Sequence, residues 1–270
     1  MSRVGLGFVR VLGIDLAWGL GRPGVAPNET GVVAVSRSGQ VVDAGWTRGL
    51  DETVEWVERW SAPSTIAMVD APLVVHNATG MRECEREVGR RYGRWKVAAN
   101  CSNLAMSALA GVRLTERLAV TGWRCADGAD GPPTTGRWLY EVFPYTTLVG
   151  AVELGYQHER PVYKRKPRHL APSTFRELRA ATCDNLIERI DRLRFTDPPI
   201  DIRSHPVTAT LPSAPTPLTD RAAKHREDLL DAVLCAWTGL LWLRHGLDRC
   251  QVLGDPPATI LAPAREEQRR

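Results

Sequence analysis

The hydrophobic pattern changes period several times along the chain, and each change predicts an element. Val9 to Gly19, VRVLGIDLAWG, reads as a short buried strand. Val9, Val11, Gly13 and Asp15 share one of its faces at the strand period of two, which delivers Asp15 to its C-terminal end. The Gly- and Pro-rich stretch 19–29 predicts a loop. GVVAV (31–35) and QVVDAGW (40–46) follow as strands joined by a tight turn at Arg37-Ser38-Gly39, which makes an antiparallel meander. Asp51 is expected to cap a helix with Val54, Trp56, Val57 and Trp60 behind it. TIAMV (65–69) is a continuous apolar run between helix and turn, the pattern of a buried parallel strand, and it ends in Asp70-Ala71-Pro72.

Downstream the pattern is mainly helical. MRECEREVGRRYGR (81–94) alternates carboxylates and arginines, as a solvated helix face laced with ion pairs does. A second helix is expected over 103–118, then a Gly/Pro/Asp loop over 122–136, and RWLYEVF (137–143) as a strand stopped by Pro144. A helix over 174–193 would bury Leu178, Ile187, Ile190 and Leu193. Six prolines between 196 and 219 predict a long irregular connection. The strongest helical pattern covers 220–245, and QVLGDPPATILAP closes the chain as two short strands before a charged, frayed tail at 265–270. The order β, β, β, α, β, helical insertion (about 76–120), β, helices predicts one α/β domain over 1–270. Its mixed sheet combines a three-strand antiparallel meander with parallel strands and carries helices on both faces, the RNase H-like pattern.

This pattern sets several carboxylates where burial or strand geometry makes them conspicuous. An ionised carboxylate among buried apolar groups is costly unless a cation or donors satisfy it. Asp15 and Asp70 end two strands. Glu141 lies inside RWLYEVF on the face of Leu139 and Phe143, and needs an arginine, a metal or a raised pKa. Asp228 and Asp231 stand one turn apart in HREDLLDAVLCAWTG, with Asp231 bordering the apolar stripe and Asp228 further out. Hard divalent cations need several oxygen ligands converging on one cavity. Carboxylates at the ends of adjacent parallel strands meet in one crevice. Asp15, Asp70 and Asp231 are therefore the expected catalytic acids and ligands of Mg2+ or Mn2+, with Asp228 and Glu141 as possible additions. Two such ions about 3.5–4 Å apart stabilise both the attacking and the leaving oxygen in phosphodiester cleavage. Gly13 and Gly19 are expected to let a metal or phosphate approach the backbone.

Composition narrows the setting. The chain has 270 residues, 43% hydrophobic and 24% charged, which suits a large globular domain with a sizeable core. A net charge of +4 permits a polyanionic partner without demanding one. Six cysteines form no CxxC pair, so zinc is not expected, and reduced thiols in a cytoplasmic protein are. No apolar stretch is long enough to span a membrane. VYKRKPRH, with Lys164 and Lys166, reads either as a solvated surface loop or, if it lies beside an acidic metal site, as a phosphate-backbone contact, and Arg82 with Arg86, Arg90 and Arg91 is a second candidate for that contact. Asn77 and Asn100 are suited to orienting substrate or to capping helices.

GIDLAWG, VDAPLVVHNATG, RECERE, YEVFP, VYKRK, DLLDAVLCAW and VLGDPPATILAP occur in an order that resembles the domain of unknown function 429 family, from about Val11 to Pro263. That resemblance implies an RNase H-like fold and a predicted nuclease activity on nucleic acid, with Asp15, Asp70 and Asp231 at the motif positions of metal ligands. The family's more usual E-V-Y-P-H is replaced here by EVFPY, so Phe143 and Tyr145 stand where a tyrosine and a histidine would. The alternatives are a non-catalytic nucleic-acid-binding protein on the same scaffold and an ATPase or phosphotransferase of the actin-like branch. The last lacks a second Gly-rich phosphate loop in this chain.

Overall fold

The computed structural model describes residues 10–18, 26–164 and 166–268. Val9, Arg165 and most of the loop expected over 19–29 lie outside them. The first strand, β1 (Arg10–Asp15), pairs antiparallel with β2 (Glu29–Ser36), which pairs antiparallel with β3 (Val41–Arg48). Helix α1 (Gly49–Trp60) crosses to β4 (Ser64–Val69), which lies parallel to β1 and is buried at every position. Two helices, α2 (Glu83–Tyr92) and α3 (Ala110–Ala119), and a two-residue strand β5 (Arg124–Cys125) precede β6 (Gly136–Glu141), parallel to β4. Then come α4 (Pro144–Gly150), α5 (Pro172–Arg192), α6 (Pro206–Ser213), α7 (Asp220–His245) and the hairpin β7 (Cys250–Leu253)–β8 (Ile260–Pro263).

The six-stranded mixed sheet runs in the order β3-β2-β1-β4-β6-β5. Strand parity divides its apolar side chains between two cores. Leu12, Ile14, Ala67, Val69 and Leu139 meet Trp56 and Val57 of α1 and Leu114 and Leu118 of α3 on one face. Val11, Ile66, Met68 and Tyr140 meet α7 on the other, with α4 and α5 beyond. Every residue of α7 from Asp228 to Trp242 is buried, because the sheet covers one side and other elements cover the rest. Among the described residues no helix is long and apolar enough to cross a membrane.

The approach of α7 to the sheet depends on missing side chains. A Cβ on Gly13 would lie 2.0 Å from the Ala232 carbonyl oxygen, and one on Gly31 2.1 Å from that of Asp228. The face of Gly13 is therefore filled by helix backbone and does not admit a metal or phosphate, contrary to expectation; Gly19 lies outside the described residues.

Several boundaries differ from the sequence pattern for local reasons. Asp51 sits in the first turn of α1, and the amide of Arg48 is taken by Glu52 at 2.7 Å. The helix expected from 103 begins at Ala110, because the Asn103 side chain accepts from the amide of Ala105 and holds a turn. Leu178 falls off the buried stripe of α5 and is 37% exposed. The Pro-rich connection contains α6, where Pro206 opens the helix with its fixed φ and His205 accepts from the amide of Val207. Arg265, assigned to a frayed tail, donates to the carbonyls of Val149 and Tyr156 at 2.7 Å each.

Gly13→Ala should destabilise the fold by about 3 kcal/mol or more, since the added methyl meets backbone that cannot step aside. Gly45→Ala, with nothing within 4 Å of the added atom, should stay within about 0.5 kcal/mol of wild type. Urea denaturation measures both, and a wild-type midpoint for Gly13→Ala would show that α7 does not lie this close to β1.

Candidate metal centre

The three predicted acids meet because of sheet direction, parity and the path of α7. Strands β1 and β4 are parallel with Ile14 opposite Val69, and the amide of Asp70 donates to the Ile14 carbonyl at 2.8 Å. Asp15 and Asp70 are thus neighbours at the C-terminal edge of the sheet. Asp15 has the parity of Val11 and Gly13, and Asp70 that of Ile66 and Met68, so both belong to the α7 face. Asp231 comes down from α7 with no exposed surface. One carboxylate oxygen from each of the three lies within 4.8 Å of the others.

The charge of this cluster is incompletely balanced. Burial, reinforced by Asp231, holds the Asp15 carboxyl well above its ordinary value. Burial raises Asp70 to about 7; Lys164 opposes the rise, and Asp231 and Glu141 add to it. The Lys164 ammonium is ion-paired to one oxygen of Asp231, and the Tyr163 hydroxyl donates to the other at 2.6 Å. Asp228 shares a hydrogen bond with Asp15 and is ion-paired to Lys224, which also reaches Glu227 at 2.9 Å. Five carboxylates thus share two ammonium groups. Three hard oxygen donors held this close, with Asp15 and Asp70 made harder to ionise chiefly by burial, fit a divalent cation, which would offset their negative charge.

Two clefts flank the cluster. The narrower, about 220 Å³, is bordered by Asp70, Glu141, Phe143 and Tyr145; the wider, about 720 Å³, by Asp15, Arg48, Arg221, Lys224 and Asp228. Trp18, Asn100 and Lys164 line both.

The other predicted residues are placed as follows. Glu141 stands opposite Val69 in the register, on the parity of Leu139, and so faces away from α7. Its carboxylate takes both terminal nitrogens of Arg82, at 2.6 and 2.8 Å, and the amide of Leu73 at 3.0 Å. Arg82 also binds Glu85 and the Val74 carbonyl, so its guanidinium is a buried tie between α2, β6 and the turn after Asp70, not a solvated phosphate contact. Arg86 and Arg90 both pair with Glu83. Lys166 donates to the Leu170 carbonyl and borders neither cleft. The Asn77 amide donates to the carbonyls of Thr79, Gly80 and Ser102, which makes it a loop staple. Asp228, expected further out, is 3% exposed beside Asp15.

Tyr163, Lys224 and Glu227 were not singled out by sequence reasoning. Tyr163 adjoins Lys164 in VYK, and Glu227 adjoins Asp228 in HREDLLD, so adjacency to the chosen residues was the available signal. Trp18 lies in GIDLAWG, three positions after Asp15, and so carried the same signal, whereas Ser102 was not singled out.

The molecule is an α/β protein with a mixed six-stranded sheet and a carboxylate triad at the ends of two parallel strands. The chain belongs to the DUF429 family, described as "Protein of unknown function", whose pattern matches residues 13–259. No curated protein and no solved structure matches it.

Arg82→Ala would leave the Glu141 and Glu85 carboxylates buried without their partner, and should cost about 3–5 kcal/mol. Chemical denaturation tests this; unchanged stability would free Arg82 for a ligand. Raised carboxyl pKa values also set a pH dependence. In the metal-free protein the proton held by Asp70 stabilises the fold below its ordinary value of 3.8, and this contribution is lost as pH rises to about 7. A divalent cation must displace that proton, so the Mn2+-induced rise in melting temperature should be larger at about pH 8 than at about pH 6. Equal shifts at the two pH values would argue against Mn2+ at these carboxylates.

Proposed function

We propose that the protein is a metal-dependent phosphodiesterase of RNase H-like fold acting on nucleic acid. The observation that carries this reading is the convergence of Asp15, Asp70 and Asp231 within 4.8 Å at the sheet edge. Its support from the fold is the antiparallel β3-β2-β1 meander continued by parallel β4 and β6, with helices on both faces. Bound Mg2+ or Mn2+, as one ion or a pair, would supply charge stabilisation to the attacking and leaving oxygens of the phosphodiester.

The chain's own residues supply the rest. Asp15 and Asp70 are fixed by the β1–β4 ladder, and Asp231 is oriented by Tyr163 and Lys164. Lys164 borders both clefts with 15% of its side chain exposed, where it meets a phosphate passing from one cleft to the other. The wider cleft carries Arg48, Lys164, Arg221, Lys224 and His225, against Asp15, Glu29, Glu227 and Asp228, whose negative charge a bound cation would offset. Such a lining suits a sugar-phosphate backbone and predicts salt-sensitive binding.

Cleavage of branched, hybrid or single-stranded nucleic acid should require Mg2+ or Mn2+ and should fall below detection in Asp15→Asn. Undiminished cleavage by that variant would sink the assignment. The Lys164 ammonium on Asp231 favours one second reading, a non-catalytic nucleic-acid-binding protein in which a lysine already supplies the cation. Under that reading Asp15→Asn binds nucleic acid as well as or better than wild type, and no substrate is cleaved.

A further inference from the structure

The narrower cleft is too small for a large ligand and is built for a particular shape. Its volume of about 220 Å³ lies below the roughly 300–1,000 Å³ of pockets that take drug-sized molecules. Trp18, Pro72 and Phe143 give it apolar walls. The Phe143 ring meets Tyr145 edge-on, with centroids 5.6 Å apart, and cations of Arg160 and Lys164 stand 4.3 and 5.1 Å from the Tyr145 ring centre.

Two residues that border the cleft carry buried hydroxyls left over by the fold. Tyr145 Oη and Ser102 Oγ have no hydrogen-bond partner among the described residues, and their side chains are 6% and 0% exposed. A buried polar group without a partner is costly, and a ligand edge that bonds it removes that cost. Asp70 and Lys164 border the same cleft, so its occupant reaches the carboxylate triad. The matching chemistry is a flat ring system with apolar faces and hydrogen-bonding edges, attached to a phosphate. Single-stranded nucleic acids are recognised through such stacking surfaces and edge contacts.

We propose that this cleft holds one unpaired nucleobase next to the phosphate at Asp15, Asp70 and Asp231. The substrate is then single-stranded or carries an extrahelical nucleotide, and is not continuous duplex. This assignment rests on the phosphodiesterase reading, deepens it, and is separable from it by experiment.

The full chain is titrated calorimetrically with nucleoside 5′-monophosphates, ribose 5-phosphate and inorganic phosphate, in EDTA and in Mn2+. Nucleotides should bind at least about tenfold more tightly than ribose 5-phosphate, the scale of one base stack. Tyr145→Phe and Ser102→Ala should each shrink that preference several-fold and melt at or above the wild-type temperature, since these hydroxyls bond nothing in the fold. Equal affinities, no measurable nucleotide binding, or a preference unchanged in both variants would overturn the base pocket. In parallel, a duplex with a one-nucleotide bulge should be cleaved at least about tenfold faster than its fully paired counterpart. Base-dependent binding without cleavage of any substrate would refute the phosphodiesterase reading and leave the pocket. Cleavage without base dependence would refute the pocket and leave the reading.

Discussion

The close contact of α7 with β1 and β2 is the constraint on which the rest of the molecule depends. Glycines at 13 and 31 remove the side chains that would hold the helix off, and its backbone carbonyls take their place. The geometry then leaves little choice. A helix buried from Asp228 to Trp242 carries two aspartates onto the edge where β1 and β4 end. Moving the helix outward by one side chain would separate Asp231 from Asp15 and Asp70, and would open the core that Val11, Ile66 and Met68 share with it. Packing and the acidic cluster are therefore one feature.

Parity sorts the remaining carboxylates. Three neighbouring parallel strands end in acids, but only two of those acids point toward α7. Glu141 takes the opposite face, where Arg82 neutralises it and ties α2 to the turn that follows Asp70. The two sets of buried charge work differently. The Arg82–Glu85–Glu141 group is matched in hydrogen bonds and holds the framework together. The Asp15–Asp70–Asp231 group, with Glu227 and Asp228 behind it, is short of positive charge, and burial makes Asp15, Asp70, Glu227 and Asp228 harder to ionise than ordinary carboxylates. Unmatched charge at a cleft is what a site that recruits a cation requires.

The basic residues divide in the same way. Lys164 is held at the junction of the two clefts by Asp231, whereas Lys166, two residues on, donates to a local carbonyl. Arg86 and Arg90, in a run that alternates carboxylates and arginines, are paired along their own helix with Glu83. Asn100 lines both clefts while Asn77 holds a loop together. Residue type alone does not separate the members of these pairs, since each has the same chemistry and only its neighbours differ.

What the amino-acid sequence determined by itself was the set of elements with strong periodicity and the identity of the acids. β4 and the helix over 220–245 were legible because a long apolar run or a sustained helical period has few alternative readings. Asp15, Asp70 and Asp231 stood out because a carboxylate beside buried apolar positions demands a partner. Weak segments were decided by contacts remote in sequence or by local turn chemistry. Asn103 delayed a helix, Pro206 began one inside a Pro-rich stretch, and Leu178 turned outward. Only the tertiary structure decided which acids meet. Three residues spread over more than 200 positions of chain share a site because β1 and β4 run parallel and α7 lies directly on them, and no local pattern encodes that distance.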